Sequence, residues 1–326
     1  MSSSKLFRKE ISGLDGGLKL THGDKFMLLG SCFSQNIAKL LRLNAFEVLD
    51  PYGTLYNPIT IADNILRAIN LVPYVSQDLI KQDDLYLSWN HSSTYRSFDS
   101  SSFLDHINKE QLLINNQIKE TSTLIITLGT AFVYEYNSYG IVGNCHKQPA
   151  KEFSKRMLSI KELVDKWKVL IPLLKIKNII FTVSPVRHWS DGVVENTRSK
   201  AILHLFIKEL QESLGHVYYF HSYELMLDEL RDYRFYKQDM LHPSKEAIAF
   251  IWDAFKKFNF SEKTLQIIDD VCAIRKSLDH KPFNANSIKH KEFLNKLILK
   301  IETIKLATPN YSWDKEVNQL LKAIND

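Results

Sequence analysis

A three-layer α/β/α sandwich around a mainly parallel five-stranded sheet is the fold that this sequence predicts. Runs at Phe26 to Leu29, Phe46 to Leu49, Thr123 to Leu128, Ile179 to Ser184 and His216 to Phe220 are mostly apolar instead of alternating, as parallel strands covered on both faces are. Helical patterns lie between them, and a strand-helix alternation implies right-handed crossovers. A chain of 326 residues with 44% apolar side chains is long enough for one large domain and an appendage.

After the first strand, Ile37, Leu40, Leu41 and Asn44 fall at helical spacing, with Lys39 and Arg42 outside. Thr60 and Asp63 read as a capping box for a helix over Asp63 to Ile69, and Phe153 to Leu170 and Asn196 to Leu214 read as long amphipathic helices. Residues 73–122 are less regular, with a serine-rich run enclosing Trp89, His91, Tyr95 and Arg96. That segment is expected to be an irregular insertion, covering the carboxyl edge of the sheet or packing beside it. From Glu262 onward lysine, leucine and isoleucine recur at helical spacing, with Trp313 near the end. The expected organisation is a catalytic domain over 1–258 and a helical C-terminal extension over 259–326 packed on it.

A formal charge of +5 from 42 basic and 37 acidic residues is mild. No block of like charge is interleaved with aromatics, so nucleic acid is not an expected partner. Met1 to Asp24 carries Lys5, Arg8, Lys9 and Glu10 without an apolar run long enough for a signal peptide or a membrane span. The expectation is a soluble, cytoplasmic protein. Cys32, Cys145 and Cys272 are too dispersed for a disulfide framework or a zinc knuckle. Oligomeric state is left open, although Leu294, Leu297 and Ile298 give the last helices an apolar face.

Two short segments carry the chemistry. Gly30-Ser31-Cys32 follows the first strand directly, so a sharp strand-to-helix turn holds Cys32 or Ser31 beside free helix N–H groups, which favour a thiolate and stabilise negative charge on a substrate oxygen. Either side chain is a candidate nucleophile; the alternative for Cys32 is a small buried residue at the top of the sheet. Asp239 precedes His242 by three residues after the last strand. In a turn the two meet directly, Asp239 holding the imidazole tautomer that lets His242 take a proton. Pro243, at the first turn of the next helix, stiffens that placement.

Other polar clusters compete. Asn144-Cys145-His146-Lys147 combines metal- or thiolate-binding groups with a cation, but no second pair of ligands completes a zinc spacing, and a hydrogen-bonded loop is the favoured reading. Ser184-Pro-Val-Arg-His188 follows the fourth strand. Arg187 there is a candidate clamp for a carboxylate or phosphate, or else an ion-pair partner of Asp191, and His188 is a rival base. His91 and Arg96 read as surface residues of the insertion, with lining of the pocket as the alternative, and Tyr218, Tyr219, Tyr223, Tyr233, Phe235 and Tyr236 as an aromatic wall or ordinary packing.

Read in order, these segments resemble the GSCFA family: Gly30-Ser31-Cys32-Phe33, with Ser34 in place of the family's alanine, then Asp50-Pro-Tyr-Gly-Thr-Leu-Tyr-Asn-Pro58, Thr127-Leu-Gly-Thr-Ala131, Asn144-Cys-His-Lys-Gln-Pro149, Thr182-Val-Ser-Pro-Val-Arg-His188, Ser199-Lys-Ala201 and Asp239-Met-Leu-His-Pro-Ser244. The resemblance runs from about residue 24 to residue 257. It implies an SGNH-hydrolase-like (flavodoxin-like) fold, because the family is known chiefly as a predicted branch of the SGNH or GDSL-like hydrolases. By that resemblance Cys32 stands where the superfamily has its nucleophilic serine, Gly53 looks like the oxyanion glycine, and Asp239 and His242 match the Asp-x-x-His motif. The third motif departs, with Gly129-Thr130-Ala131 in place of Gly-x-Asn. Ala131 has no donor for a bond that is worth about 3 kcal/mol in other hydrolases, which leaves Thr130, Asn144 and His146 as polar candidates for the vacancy.

The expected activity is cofactor-free cleavage of an ester or thioester through an S-acyl enzyme on Cys32, with His242 as base, Asp239 orienting it, and the Cys32 and Gly53 N–H groups receiving the oxyanion. The substrate would be a small-molecule, carbohydrate or lipid acyl ester. The same site serves an acyltransferase if an acceptor replaces water. Further alternatives are a non-catalytic binding or scaffold protein and a metal-assisted phosphoesterase using Asp239, His242 and His188.

Overall fold

Four of the five expected strands form within a residue or so of their predicted bounds, and the fifth is shorter. The computed structural model describes residues 10–11, 17–137, 139–280, 282–284 and 287–325. Its first elements are β1 (Phe26–Gly30), α1 (Cys32–Leu43), β2 (Val48–Leu49) and α2 (Pro58–Ile69). There follow β3 (Leu79–Gln82), β4 (Leu85–Ser88), β5 (Arg96–Ser97), α3 (Ser100–Glu120), β6 (Thr123–Leu128), β7 (Phe132–Tyr136), β8 (Gly140–Val142) and β9 (Phe153–Met157). Then come α4 (Ile160–Leu174), β10 (Asn178–Val183), α5 (Val193–Ser213), β11 (Val217–Tyr219) and the single turn α6 (Ser222–Glu224). The last helices are α7 (Lys245–Asn259), α8 (Glu262–Leu278), α9 (Ile288–Ala307) and α10 (Asp314–Asn325).

The central sheet has five strands in the order β2-β1-β6-β10-β11, with the β1–β6, β6–β10 and β10–β11 pairs parallel. Counting only these strands the order is 2-1-3-4-5, the flavodoxin-like arrangement, whose ligand crevice lies where the chain reverses direction across the sheet. Here that is the carboxyl end of β1 and β6. All residues of β1, β6 and β10 are buried. One face is covered by α2, α4 and α5, whose Ile61, Ile65, Trp167, Leu170, Leu203 and Phe206 join Leu124, Ile126, Ile179 and Phe181 in one core. The result is the predicted three-layer α/β/α sandwich.

Several elements differ from expectation, each for a local reason. Helix α2 begins five residues before Asp63, because Asn57 caps it by accepting from Thr60 N at 2.8 Å and Pro58 supplies the first turn. Thr60 is therefore buried inside the helix and forms no capping box. The predicted helix from Phe153 starts as a strand: β9 pairs antiparallel with β7, and α4 starts only at Ile160 after the Ser159 cap. The predicted strand over Phe46 to Leu49 shortens to β2 because Phe46 instead stacks on His22 and Phe260, with ring centroids 4.0 and 4.9 Å apart.

Residues 73–122 are ordered secondary structure and not an irregular insertion. They contain the antiparallel sheet β3-β4-β5 and the 21-residue helix α3. His91, expected at the surface, is fully buried, its ring beside Tyr52, Tyr74 and Tyr95 and its Nδ1 2.8 Å from Ser88 Oγ. Arg96 is exposed on β5. A second small sheet, β8-β7-β9, was also unforeseen.

The chain divides into two compact units, one mainly Phe26–Ala38 and Leu49–Trp252, the other mainly Lys39–Val48 and Asp253–Asp326. The second contains the C-terminal helices together with the Lys39–Val48 stretch, and Ala45, Val271, Ile274, Leu297, Ile301 and the buried Trp313 share a core there. Trp313 Nε1 donates to Thr308 Oγ1 at 3.0 Å, and Arg275 pairs with Glu316. Among the described residues no helix is long and apolar enough to cross a membrane.

Candidate active site

Strand β1 ends at Gly30, whose φ of +126° and whose closeness to Thr127 O leave no room for a Cβ. The next residues turn into α1 at once, so Ser31 and Cys32 are delivered to the helix N-terminus. They face different environments. Ser31 is 1% exposed and among the described residues its hydroxyl has no hydrogen-bond partner, whereas Cys32 is half-buried and a free thiol. Cys32 is thus the more accessible of the two nucleophile candidates.

The electrostatics of Cys32 differ from the expectation of a ready thiolate. Burial pushes its pKa above the ordinary thiol value; the Lys237 and Lys200 charges and the backbone N–H groups of Cys32 and Phe33 pull it down by less. The helix N-terminus therefore acts as predicted in direction, but desolvation outweighs it.

The second motif forms the predicted pair. His242 Nδ1 donates to Asp239 Oδ2 at 2.7 Å, while Asp239 Oδ1 accepts the N–H groups of Leu241 and His242, each at 2.9 Å. These backbone bonds, with His242 itself, hold the Asp239 pKa down at about 2. The carboxylate is ionised at neutral pH, so the proton sits on Nδ1 and leaves Nε2 as acceptor. Both side chains are partly open to solvent, 40% for His242 and 44% for Asp239. Pro243 lies in a bridge with Tyr236, before α7 starts at Lys245, and not within the helix.

The two motifs share a neighbourhood without being directly bonded. Lys237, whose N–H donates to His242 O at 2.8 Å, is the cation that most lowers the Cys32 pKa. Tyr56 feels the charge of Cys32, and its ring meets His188 edge-on at 5.5 Å. Among the described residues, however, no hydrogen bond joins Cys32 to His242, so the aspartate-histidine half of a triad is assembled and the contact to the thiol is not.

Gly53 occupies a left-handed turn at φ +67°, where a Cβ would lie 2.1 Å from Ser92 Oγ. Its neighbours on either side are tied down, Tyr52 O accepting from Ser92 N at 3.0 Å and Leu55 N donating to Gly30 O at 2.8 Å. Thr130, at the departing third motif, uses its hydroxyl internally, 3.0 Å from both Ser199 Oγ and Phe132 N. Ala131 N donates to Ser199 Oγ at 2.7 Å. The loop that lost its asparagine is held by a serine of α5.

Asn144 and His146 are engaged elsewhere. Asn144 Oδ1 accepts from His146 N at 2.9 Å, and His146 Nε2 donates to Ser88 O at 2.7 Å beside Trp89. This is the hydrogen-bonded loop, built against β4. Among the described residues no group of three or more His, Cys, Asp or Glu side chains is placed to hold a metal ion. The convergence needed by a metal-assisted phosphoesterase is accordingly missing there.

Arg187 does not pair with Asp191, whose partner is Lys155. Among the described residues Arg187 has no carboxylate partner, and its buried Nε has no acceptor. His188 is held by its backbone N–H on Asn196 Oδ1 at 2.9 Å, and burial, aided by Lys200, lowers its pKa to about 4. Its imidazole is neutral at pH 7.

Sequence reasoning missed Lys200, the central residue of Ser199-Lys-Ala201. It is 2% exposed and donates from Nζ to Gly129 O and Ser184 O, both at 2.7 Å. Burial first, then the Arg187 charge, lowers its pKa to about 7, while Cys32 pulls the other way. A signal was present: Lys200 lies on the stripe Asn196, Ser199, Lys200, Leu203, Phe206, Ile207, Leu210 that α5 buries.

No curated protein matches the chain. Among solved structures it is similar to a Clostridium thermocellum family 3 carbohydrate esterase, at 12% identity and TM-score 0.33 over 76% of this chain and 97% of that one. It is likewise similar to a family 3 carbohydrate esterase from Talaromyces cellulolyticus, at 12% identity and TM-score 0.30 over 76% of this chain and 99% of that one. The GSCFA family matches over residues 25–255, and the GSCFA domain protein C-terminal domain over residues 271–326. With the glycine-serine-cysteine turn, the aspartate-histidine pair and the alanine of the third motif all inside the first match, the chain belongs to the GSCFA family.

Proposed function

We propose that this chain is an SGNH-like acyl hydrolase that cleaves an ester or thioester through an S-acyl intermediate on Cys32. The observation that supports it is the bonded Asp239–His242 pair sharing a neighbourhood with an accessible cysteine at a helix N-terminus. In this reading Cys32 attacks the carbonyl, the Cys32 and Gly53 N–H groups receive the oxyanion, and His242, oriented by Asp239, handles the proton. The 2.7 Å Asp239–His242 bond leaves Nε2 as the proton acceptor. Arg187, half-buried, without a carboxylate partner among the described residues and with a buried Nε that has no acceptor, supports an anionic group on the substrate.

The test is stoichiometric acylation. Mixing the chain with p-nitrophenyl acetate should release about one equivalent of nitrophenolate per chain in a burst, with the acetyl group recovered on the Cys32 peptide. Cys32→Ala should abolish the burst and His242→Ala should slow it. The raised thiol pKa and the missing Cys32–His242 bond favour a second reading, a binding protein on a hydrolase fold. A wild-type chain that shows no burst and carries no acetyl group on Cys32 decides for that reading.

A further inference from the structure

We propose that the Tyr56 phenol is the oxyanion donor that the third motif lacks, an inference that rests on the reading of Cys32 as nucleophile. The side chains considered for that role are spent. Ala131 has no donor, Thr130 is engaged with Ser199 and Phe132, and Asn144 and His146 are engaged in the loop built against β4. Backbone register brings Tyr56 to the cysteine instead. Gly30, at the end of β1, forms a parallel bridge with Thr54, and its carbonyl accepts from Leu55 N at 2.8 Å. Parallel chains advance together, about 5 Å apart, so the residue two beyond Thr54 leaves the sheet edge level with the residue two beyond Gly30. Those residues are Tyr56 and Cys32. Tyr56 also packs on the third motif: its carbonyl accepts the N–H groups of Gly129 and Thr130 at 2.9 and 3.1 Å, and a Cβ on Gly129 would lie 3.0 Å from its Cδ1. Its ring meets His188 edge-on, with centroids 5.5 Å apart. The phenol therefore belongs to a side chain seated on the loop whose asparagine is missing, beside the strand end that carries Cys32.

The chemistry asks for a donor that keeps its proton. Among the described residues the Tyr56 hydroxyl makes no hydrogen bond, so its O–H is uncommitted. Burial first, then the Cys32 charge, raises its pKa above the ordinary phenol value, and it stays protonated at neutral pH. In the attack an S–C bond forms, the carbonyl π electrons move onto oxygen, and the thiol proton passes to His242. The Tyr56 O–H then donates to that oxygen beside the Cys32 and Gly53 N–H groups, its own proton remaining on the phenol. As the tetrahedral intermediate collapses, the electron pair returns to the carbonyl, the bond to the leaving group breaks, and His242 gives that group the proton. Tyr56 thus does by hydrogen bonding alone what the amide of a Gly-x-Asn motif does.

The experiment compares wild type with Tyr56→Phe in two reactions of Cys32 in the full chain. Burst acylation by p-nitrophenyl acetate passes through an oxyanion; alkylation by iodoacetamide, a displacement at carbon, does not. Phenylalanine keeps the ring on Gly129 and His188 and loses only the O–H. The burst rate constant should fall by about 100-fold or more, while the alkylation rate and its pH profile, read on the Cys32 peptide by mass, should match wild type. A variant burst at the wild-type rate overturns the role of Tyr56 and leaves Cys32 as nucleophile. So does an alkylation rate that falls as far as the burst, because the phenol would then act on the thiol and not on the oxyanion. A wild-type chain with no burst and no acetyl group on Cys32 overturns the acyl-enzyme reading, and this donor with it. Urea unfolding should give both chains the same midpoint, since the hydroxyl makes no hydrogen bond among the described residues. A variant that loses its fold shows the hydroxyl to be structural, which also overturns the proposal.

Discussion

Replacing Lys200 by methionine should change how stability depends on pH, and the size of the change follows from the structure. The lysine is fully buried, and its pKa falls from an ordinary 10.5 to about 7. Every tenfold change in an acidity constant is worth about 1.4 kcal/mol, so burying the charged form costs about 5 kcal/mol in full. Between about 7 and about 10.4 the unfolded lysine keeps its proton and the folded one does not, so the unfolded state binds more protons and stability rises with pH. The cost is present in full below about pH 7 and is relieved as pH rises toward the unfolded pKa. From about pH 7 to about pH 9 the wild type should therefore gain about 2 kcal/mol that the variant does not. Methionine also leaves Gly129 O and Ser184 O without a donor, a loss of about 1–3 kcal/mol each, but that loss is independent of pH. Urea unfolding of both chains at several pH values separates the two effects, because other titrations cancel in the difference between chains. A wild-type minus variant difference that stays constant from about pH 7 to about pH 9 would mean that Lys200 keeps an ordinary pKa in the core, against the desolvation argument.

Two further perturbations test the framework around the cysteine. Asp239→Asn should leave the fold intact, because the amide oxygen still accepts the Leu241 and His242 N–H groups. It turns an N–H toward Nδ1 and forces the wrong imidazole tautomer, so turnover of an activated ester should fall by about 100- to 10,000-fold, and steady-state rates across neutral pH would show it. Gly30→Ala places a Cβ 2.1 Å from Thr127 O at a φ of +126° and should lower stability by about 3 kcal/mol or more, read as a reduced urea midpoint.

Much of the fold was legible in the chain because buried parallel strands are written as continuous apolar runs. Thr123–Leu128 is the clearest: it has no room for a polar alternation, and it forms β6 with every residue buried. Residues 73–122 failed as a reading because their order does not come from periodicity. Buried polar side chains tie them to the preceding helix and the turn after it, Asn64 donating to Asn90 O, Gln111 to Val72 O and Asn115 to Ala68 O, and Asp78 gathers Arg67 and Tyr139. Such bonds link residues far apart in sequence and leave no local signature. Phe153–Met157 failed for a related reason, since its partner β7 lies some twenty residues upstream, and strand pairing overrode a helical pattern.

By itself the sequence determined what can be stated locally: a strand stopping at Gly30, a cysteine opening the next helix, and an aspartate close enough to His242 in the chain to bond it. Spacings of three or four residues are enforced by the backbone, so they survive folding unchanged. Tertiary structure alone decided which polar groups lose water. It buried Ser31 and left Cys32 accessible, committed Thr130 and His146 to internal bonds, left Arg187 without a carboxylate among the described residues, and placed Lys200 in the core against two strand ends. Desolvation depends on everything packed around a group, so the pKa values of Cys32 and Lys200 belong to the fold and not to either residue's place in the chain.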